Sequence, residues 1–366
     1  MRFISSLAAL AAVPLALAAP VSPDTIPGDQ QCTPENALVR KEWSNFTVAE
    51  QQDYVDALWC LRSKPSVLPR DQFPGVLDRL DDFVATHMNY TVVIHRDGVL
   101  LPWHRHFVWL WENALREECG YKGTVPYWDW LLNSDMYSNA IFNTADPAAS
   151  LSLSGDGAYD PSVQANRDPS SLALAPGNGG GCVLDGPFKN WTVHMGPFSF
   201  DQVFAYAPLP DNLFAYNPRC LMRNLQPAML QYYINQSVID GMLAAPTVGA
   251  FYNFLDPSDA SVLGAHGAGH NSVGPAMQDV FSSPQDPVFM LHHGQIDRLW
   301  TQWQYTGDWQ AEGRVTALNG TAMYNNPPGE PLINLDTVIE FGPLDQPRRI
   351  AELMDVTKGR YCYKYE

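Results

Sequence analysis

The sequence predicts a mainly α-helical protein with long loops and a few short strands. Thr47 and Glu50 have the spacing of a capping box, which marks a helix start. Apolar residues recur at helical spacing in several later segments, and Asp286-Pro287 is typical of another helix start. The C-terminal part contains only short strand-like pieces, and no internal repeat is evident.

Start and stop signals place the helices along the chain. Gly120 follows one apolar stripe and can end that helix in a left-handed conformation. Residues 133–186 are rich in Ser, Asp, Asn, Pro and Gly, so they should form a long surface excursion. In chain order, the expected helices are approximately Thr47 to Leu61, Gly75 to Met88, Pro102 to Cys119, Pro227 to Leu243, a short helix with His266 and His270, and Pro287 to Tyr305.

The N-terminus resembles a secretory signal. Residues 4–19 are apolar and small, and Ala16-Leu17-Ala18 fits a cleavage site for removal of residues 1–18. The stretch is too short to span a bilayer, and no later stretch approaches ~18 uninterrupted apolar residues. We therefore expect a secreted protein with no membrane segment in its mature form, and a single catalytic domain over residues 19–366.

Charge and composition exclude some partners. The net charge is −17 and no basic patch stands out, which argues against nucleic acid because phosphate contacts need clustered Lys and Arg. Hydrophobic residues make up 46% of the chain, enough for a substantial core.

Six cysteines in an exported chain suggest three disulfides, although spacing alone cannot choose among the possible pairings. Asn-x-Ser/Thr sequons are typical of a glycosylated secreted protein. The cysteines are Cys32, Cys60, Cys119, Cys182, Cys220 and Cys362, and the sequon asparagines are Asn45, Asn89, Asn190, Asn235 and Asn319.

Two compact groups of histidines lie in otherwise apolar segments. A lone histidine on an apolar helix face is usually a hydrogen-bonded core residue, but six in two groups favour metal ligation. His266 and His270 are four residues apart, so both rings can project from one helix face. The first group is His87, His95 and His104, and the second is His266, His270 and His293.

The last ligand requires a choice between His292 and His293. We favour His293 because it shares its stripe with Phe289 and Trp300. The metal is inferred from the donor set: two-metal hydrolases rely on Asp or Glu oxygens to bridge their ions, and no glutamate occurs between Glu118 and Glu312. All-imidazole ligation favours copper, although it does not exclude zinc.

These residues resemble the two copper motifs of tyrosinases. His87-x7-His95 followed by Leu101-Pro102-Trp103-His104 resembles the first motif. His266-x3-His270, then the residues from Asp286 to His293 and Asp297-Arg298-Leu299-Trp300, resembles the second. The similarity extends over roughly residues 40–363 and is greatest with the short secreted tyrosinases and catechol oxidases of filamentous fungi.

The resemblance implies a four-helix bundle around a type-3 dicopper centre. His87, His95 and His104 would hold one copper, and His266, His270 and His293 the other. The family uses dioxygen as co-substrate, and its other partners are small phenolic substrates. It oxidises o-diphenols to o-quinones, and some members first hydroxylate monophenols.

Several positions depart from the family pattern. Many monophenol-active members have Asn directly after the first histidine of the second motif, where this chain has Gly267, although Asn271 follows the second histidine. The water-holding glutamate upstream of that motif is absent; Asp256 and Asp259 are the nearest carboxylates. Because an organised base for the phenol proton is missing, diphenol oxidation is expected rather than monophenol hydroxylation.

Two residues are assigned roles around the coppers. Val280 resembles the family's gate residue over the copper, and its small side chain suggests an open entrance; the alternative is an ordinary loop valine. Asp297, one turn after His293, is a candidate to orient that ring, with a surface salt bridge to Arg298 as the alternative.

Tyr361 and Tyr363 resemble the tyrosine motif that closes the catalytic core in this family, and Arg40 resembles the arginine that packs on it through a cation–π contact. The resemblance also suggests that no C-terminal lid domain is present. The enzyme is therefore expected to be synthesised in its active form, without proteolytic activation.

Three other activities remain open. The first is a tyrosinase with monophenol hydroxylase activity, or an o-aminophenol oxidase. The second is a hemocyanin-like oxygen carrier with the same dicopper core. The third is a zinc-dependent hydrolase.

Overall fold

A computed structural model describes residues 31–165, 174–198, 209–257 and 262–366. The expected signal peptide over residues 1–18 lies outside these residues, as does Asp259. The helices are Val48–Ser63, Arg79–Tyr90, Leu100–Cys119, Pro161–Ala165, Pro227–Tyr233, Gln236–Leu243, Val248–Leu255, Ala265–Val273, Pro275–Gln278, Val288–Gln304 and Trp309–Glu312. Short 3-10 turns lie at Trp43–Asn45, Thr91–Val93, Ser283–Gln285, Arg314–Thr316 and Ile350–Leu353.

The mainly helical prediction is confirmed, and most expected helix ends are close to those observed. Thr47 and Glu50 form the capping box, and Gly120 ends its helix at φ 71°. The second helix starts later than expected, at Arg79, because the Asp78 carboxylate accepts a hydrogen bond from the Asp81 amide and caps it there.

Two other expectations need correction. The helix expected from Pro227 to Leu243 is two helices, because Asn235 is extended and its side chain caps the second by accepting from the Val238 amide. The excursion over residues 133–186 is largely irregular where it is described, yet it is not only surface. Ile141, Phe142 and Leu153 from this segment are buried in the core.

Four helices carry most of the histidines and pack around a common core. Arg79–Tyr90 holds His87, Leu100–Cys119 holds His104, and Ala265–Val273 and Val288–Gln304 hold the second group. His95 follows a 3-10 turn, in the irregular stretch where it was expected. The bundle thus brings residues from distant parts of the chain to one place.

Short strands join distant segments around the bundle. In the parts of the chain that the structure describes, they form four two-stranded pairs. Leu38–Arg40 runs parallel to Tyr363–Tyr365, which places Arg40 beside the C-terminal tyrosines. The other pairs are Gly157–Tyr159 with Gly180–Val183, Thr192–Val193 with Arg219–Cys220, and Val338–Ile339 with Arg348–Arg349.

All six cysteines are paired, which confirms the expectation of three disulfides and settles their connectivity. The bonds are Cys32–Cys362, Cys60–Cys119 and Cys182–Cys220. The first closes the end of the parallel strand pair, and the second ties two helices together. Among the described residues, we find no helix with the length and apolar character needed to cross a membrane.

Candidate metal centre

The first histidine group converges in the buried interior. One ring nitrogen from each of His87, His95 and His104 lies within 4.8 Å of the others. The three side chains are nearly inaccessible to solvent, and their ring centroids lie 5.0 to 5.6 Å apart. Two different helices and the irregular stretch between them thus present one nitrogen each to the same small volume.

Main-chain carbonyls orient each ring of this group. His87 Nδ1 donates to Phe281 O at 2.8 Å, and His95 Nδ1 donates to Thr91 O at 2.8 Å. His104 Nδ1 donates to Leu100 O at 2.9 Å. A carbonyl oxygen can only accept, so Nδ1 carries the proton and Nε2 keeps its lone pair.

The freed nitrogens have no other function in the fold. Within the described part of the chain, Nε2 of His87 and of His104 is buried and has no hydrogen-bond partner. Leaving a buried acceptor unpaired costs on the order of 1–3 kcal/mol. The two unpaired Nε2 atoms therefore indicate a site for a bound group that accepts their lone pairs. A metal ion held by neutral imidazoles meets that requirement.

The second group contains four imidazoles rather than three. One nitrogen from each of His266, His270, His292 and His293 lies within 4.8 Å of the others. His270 Nδ1 donates to Met277 O at 2.8 Å, and its Nε2 lies 3.2 Å from His293 Nε2. In the described residues, His266 Nε2 is buried without a partner, so this group also has nitrogens available for a metal.

The two groups face each other. The His104 and His293 rings stack at 4.2 Å between centroids and 11° between planes. His95 and His266 are nearly parallel, with centroids 5.9 Å apart. Two metal ions, one in each group, would therefore be close neighbours, as a dinuclear centre requires.

Burial favours the neutral form of several of these rings. Desolvation, together with the neighbouring imidazoles, lowers the pKa of His87, His104, His270 and His293 well below the ordinary histidine value. The pKa of His95 falls to about 4 for the same reasons, with burial first. Neutral imidazole is the form that binds metals, so the rings need not lose a proton to bind one.

His292 also belongs to the second group, although the sequence favoured only His293 of this adjacent pair. It is fully buried, its ring stacks on that of His266 at 5.7 Å, and neither ring nitrogen has a partner in the described residues. A Cβ added at Gly269 would lie 2.2 Å from its ring, so this glycine makes room for it. The sequence signal for its presence near the second group was its adjacency to His293. His293 stays the predicted ligand because it lies between the two groups.

Asp297 does not orient His293, and that expectation is wrong. Its carboxylate binds Arg105 at 2.6 Å and Arg40 at 3.3 Å, and it accepts hydrogen bonds from Tyr363 and Tyr365. It forms no surface pair with Arg298 either, because it is buried. Burial raises the pKa of Asp297, but the two arginines hold it below its usual value.

The contacts of Asp297 join the strand that holds Arg40 and the C-terminal tyrosines to the bundle. The Arg40 guanidinium lies 3.7 Å from the Tyr363 ring centroid, which confirms the expected cation–π contact. A carboxylate that looked like a candidate for the metal centre therefore stabilises the packing behind it.

The remaining histidines are structural. His106 bonds Tyr361 through Nδ1 at 2.8 Å and Asp345 through Nε2 at 2.7 Å. His194 Nδ1 lies 2.7 Å from Asp81. Both ring systems are used in packing networks, and neither lies in the two converging groups.

A carboxylate that the sequence did not single out as a ligand partner faces the second group. Asp256 Oδ1 lies 3.7 Å from His266 Nδ1, and Asp256 Oδ2 accepts from the Arg96 amide at 3.0 Å. Burial raises the pKa of Asp256, but His266 and Arg96 hold it below its ordinary value. The ring that begins the second motif therefore has a carboxylate beside its Nδ1, at ion-pair distance rather than hydrogen-bond distance.

The positions assigned to substrate selection lie near the second group. Gly267 and His270 are partly exposed on the same helix, whereas Asn271 is buried. Val280 is partly buried and precedes Phe281, whose carbonyl anchors His87. The role of Val280 as a gate stays a prediction.

The sequon asparagines differ in surroundings. Asn45, Asn89, Asn190 and Asn319 are exposed. Asn235 is only partly exposed, and its side chain caps a helix. Glycosylation stays a prediction at all five.

Comparisons with known proteins agree with this geometry. Residues 77–306 match the common central domain of tyrosinase. The chain is 58% identical to N-acetyl-6-hydroxytryptophan oxidase of Emericella nidulans over 100% of both chains. It is 44% identical to tyrosinase P of Aspergillus terreus over 89% of this chain and 91% of that protein.

A solved structure shows the same fold. A polyphenol oxidase variant from Thermothelomyces thermophila matches with a TM-score of 0.82 and 36% identity, over 92% of this chain and 90% of that one. The two histidine groups fit the dinuclear copper centre with which this family uses dioxygen. This chain is a fungal-type member of the tyrosinase family, a copper-dependent oxidoreductase.

Proposed function

We propose that the enzyme is a secreted oxidase that converts o-diphenols into o-quinones. The observation that carries this proposal is the convergence of seven imidazoles into two facing groups, in which Nε2 of His87, His104 and His266 is buried and has no partner among the described residues. Two diphenols give up four electrons and four protons to one dioxygen, which yields two o-quinones and two waters. The coppers supply the redox chemistry and the binding of dioxygen.

The protein's own side chains hold the coppers and exclude bulk water from them. His87, His95 and His104 hold one copper, and His266, His270 and His293 hold the other. The surrounding bundle side chains keep bulk water from the centre, because five of the six proposed ligands are buried. His270 is the more exposed ligand, so a phenol ring would approach along its helix.

A hydroxylated indole is the second candidate substrate. The relative named for oxidation of N-acetyl-6-hydroxytryptophan is 58% identical over the full length of both chains. A catechol and a hydroxyindole are both flat, electron-rich rings, but a catechol bears two adjacent hydroxyls and the hydroxyindole only one, so oxidation of the hydroxyindole would be a separate activity from o-quinone formation.

A substrate panel tests the proposal. The copper-loaded enzyme would be given catechol, tyrosol, o-aminophenol and N-acetyl-6-hydroxytryptophan, with oxygen uptake and product absorbance recorded before and after removal of copper by a chelator. We expect copper-dependent oxidation of catechol or the hydroxyindole and little oxidation of tyrosol. Undiminished oxidation without copper would contradict the proposal.

The same experiment separates the other activities. Rapid uptake with tyrosol alone would indicate a monophenol hydroxylase, and preference for o-aminophenol an aminophenol oxidase. Reversible oxygen binding without product would indicate an oxygen carrier. Zinc in place of copper in metal analysis would indicate a hydrolase.

Secretion is the second part of the proposal. Three disulfides and the exposed sequons support it, because disulfides persist in oxidising compartments. Expression of the full chain in a fungal host should place active enzyme in the medium with residues 1–18 removed. Enzyme that is retained in the cell, or that is latent until cleaved elsewhere, would contradict this expectation.

A further inference from the structure

One face of the helix Ala265–Val273 is partly exposed to solvent. Leu263, Gly267 and His270 are partly exposed, whereas Ala265, His266, Ala268 and Gly269 between them are buried. Residues three and four apart share a helix face, so Gly267 and His270 lie on one stripe and Leu263 continues it just before the helix. This stripe leads to a predicted copper ligand.

Leu263 bounds the space above Gly267. A Cβ built on Gly267 would lie 2.6 Å from Leu263 Cδ1 and 3.6 Å from its Cγ, and apart from its chain neighbours and the backbone of its own helix it would meet no other described atom within 4 Å. The end of the leucine side chain thus occupies the place that a side chain at position 267 would take. Leu263 also packs against the hydrophobic core, so its position is supported from below.

We propose that Leu263 is a specificity-determining residue, whose side chain covers Gly267 and forms the apolar wall against which the substrate ring lies as it approaches His270. The inference rests on the proposed function, because it concerns the same site. An apolar wall favours a flat ring and offers no hydrogen bond to a ring hydroxyl.

The geometry also couples position 263 to position 267. Since Cδ1 is the flexible end of a leucine, a larger residue at 267 can push it aside rather than unfold the helix. The displaced leucine would then move into the path of the substrate. The effect of a substitution at 267 should therefore depend on whether Leu263 is present.

A double-mutant cycle on the copper-loaded enzyme tests this coupling. The variants are Leu263→Ala, Gly267→Asn and the double variant, with Leu263→Met as the conservative replacement. Leu184→Ala is the control, because Leu184 is 66% exposed. The measurements are KM and kcat for the preferred ring substrate, copper content and Tm. The dissociation constant of benzoate, an aromatic ring compound without a phenolic hydroxyl, is measured by calorimetry to report ring binding apart from turnover.

Loss of the wall should weaken ring binding more than turnover. We expect Leu263→Ala to raise KM and the benzoate dissociation constant about five- to tenfold, with kcat changed less than about twofold, as for loss of a few methylene contacts. Leu263→Met should stay within about twofold of wild type, since it restores apolar contact. The Leu184→Ala control should match wild type in every measurement.

The cycle should be non-additive. Gly267→Asn should raise KM about fivefold in the wild-type background and less than about twofold in the Leu263→Ala background. Additive effects, or unchanged KM and benzoate binding in Leu263→Ala, would overturn the inference while leaving the proposed function intact. A wild-type enzyme that oxidises no ring substrate would instead contradict the proposed function.

Discussion

The two histidine groups perform equivalent tasks with different supports. In the first group, all three Nδ1 atoms donate to main-chain carbonyls. In the second, only His270 does so; His266 faces the Asp256 carboxylate, and His293 Nδ1 has no partner among the described residues. Backbone geometry therefore orients the first group, whereas side-chain packing contributes more to the second.

This difference has a consequence for substitution. A main-chain carbonyl survives replacement of its own side chain, so the first group should tolerate changes around it and fail only when a ligand is removed. The second group should respond more to its neighbours, because a carboxylate lies beside the His266 ring and the other rings pack closely on one another.

Removal of a first-group ligand should have the largest effect. His104→Ala deletes one of three nitrogens for the first copper, and we expect loss of that copper and a fall in kcat of about a thousandfold or more. Metal analysis and oxygen uptake check this. His106→Gln on the same helix should keep both coppers, because His106 bonds Tyr361 and Asp345 instead. Full copper content in His104→Ala would refute the ligand assignment.

Comparison of the adjacent histidines comes next. His293→Ala should lose the second copper and at least about a hundredfold in kcat, since the ring lies between the two groups. His292→Ala should keep two coppers and show a lower Tm, because it leaves a cavity beside Gly269. The reverse pattern in copper content would make His292 the ligand.

Asp256→Asn tests the carboxylate that supports the second group. The variant keeps the shape but loses the charge facing His266 Nδ1, so the affinity of the second copper should fall about ten- to a hundredfold while the first is unchanged. Stepwise chelation with metal counting resolves the two. Asp240→Asn, on an exposed helix surface, is the control. Equal weakening of both coppers would argue against a separate role for Asp256.

The smallest effect is expected beside the first group. Thr91→Val removes a hydroxyl that donates to His87 O at 2.8 Å but leaves the Thr91 carbonyl that anchors His95. The free energy of unfolding should fall by about 1 kcal/mol, with copper affinity unchanged. Denaturant unfolding and chelation measure the two quantities. A marked loss of copper would show that side chains also orient this group.

Much of the helical framework could be predicted locally. The capping box at Thr47, the Gly120 terminator and the stripe around His104 depend on neighbours within a few residues, and the structure agrees. The later start at Arg79 and the break at Asn235 were missed because a single capping side chain outweighed the apolar period. Asp297 was misjudged for a different reason: its partners are distant along the chain, 257 residues away at Arg40 and 66 residues away at Tyr363.

The sequence by itself determined the kind of donor: grouped histidines, few carboxylates among them and helices to carry them. Tertiary structure decided which atoms meet, because the carbonyl that anchors His87 comes from Phe281 and the ring stacked on His104 comes from His293. It also placed His292 beside the second group and Leu263 over Gly267. Periodicity reports which face of a helix is apolar, whereas contacts between distant segments depend on how the helices pack against one another.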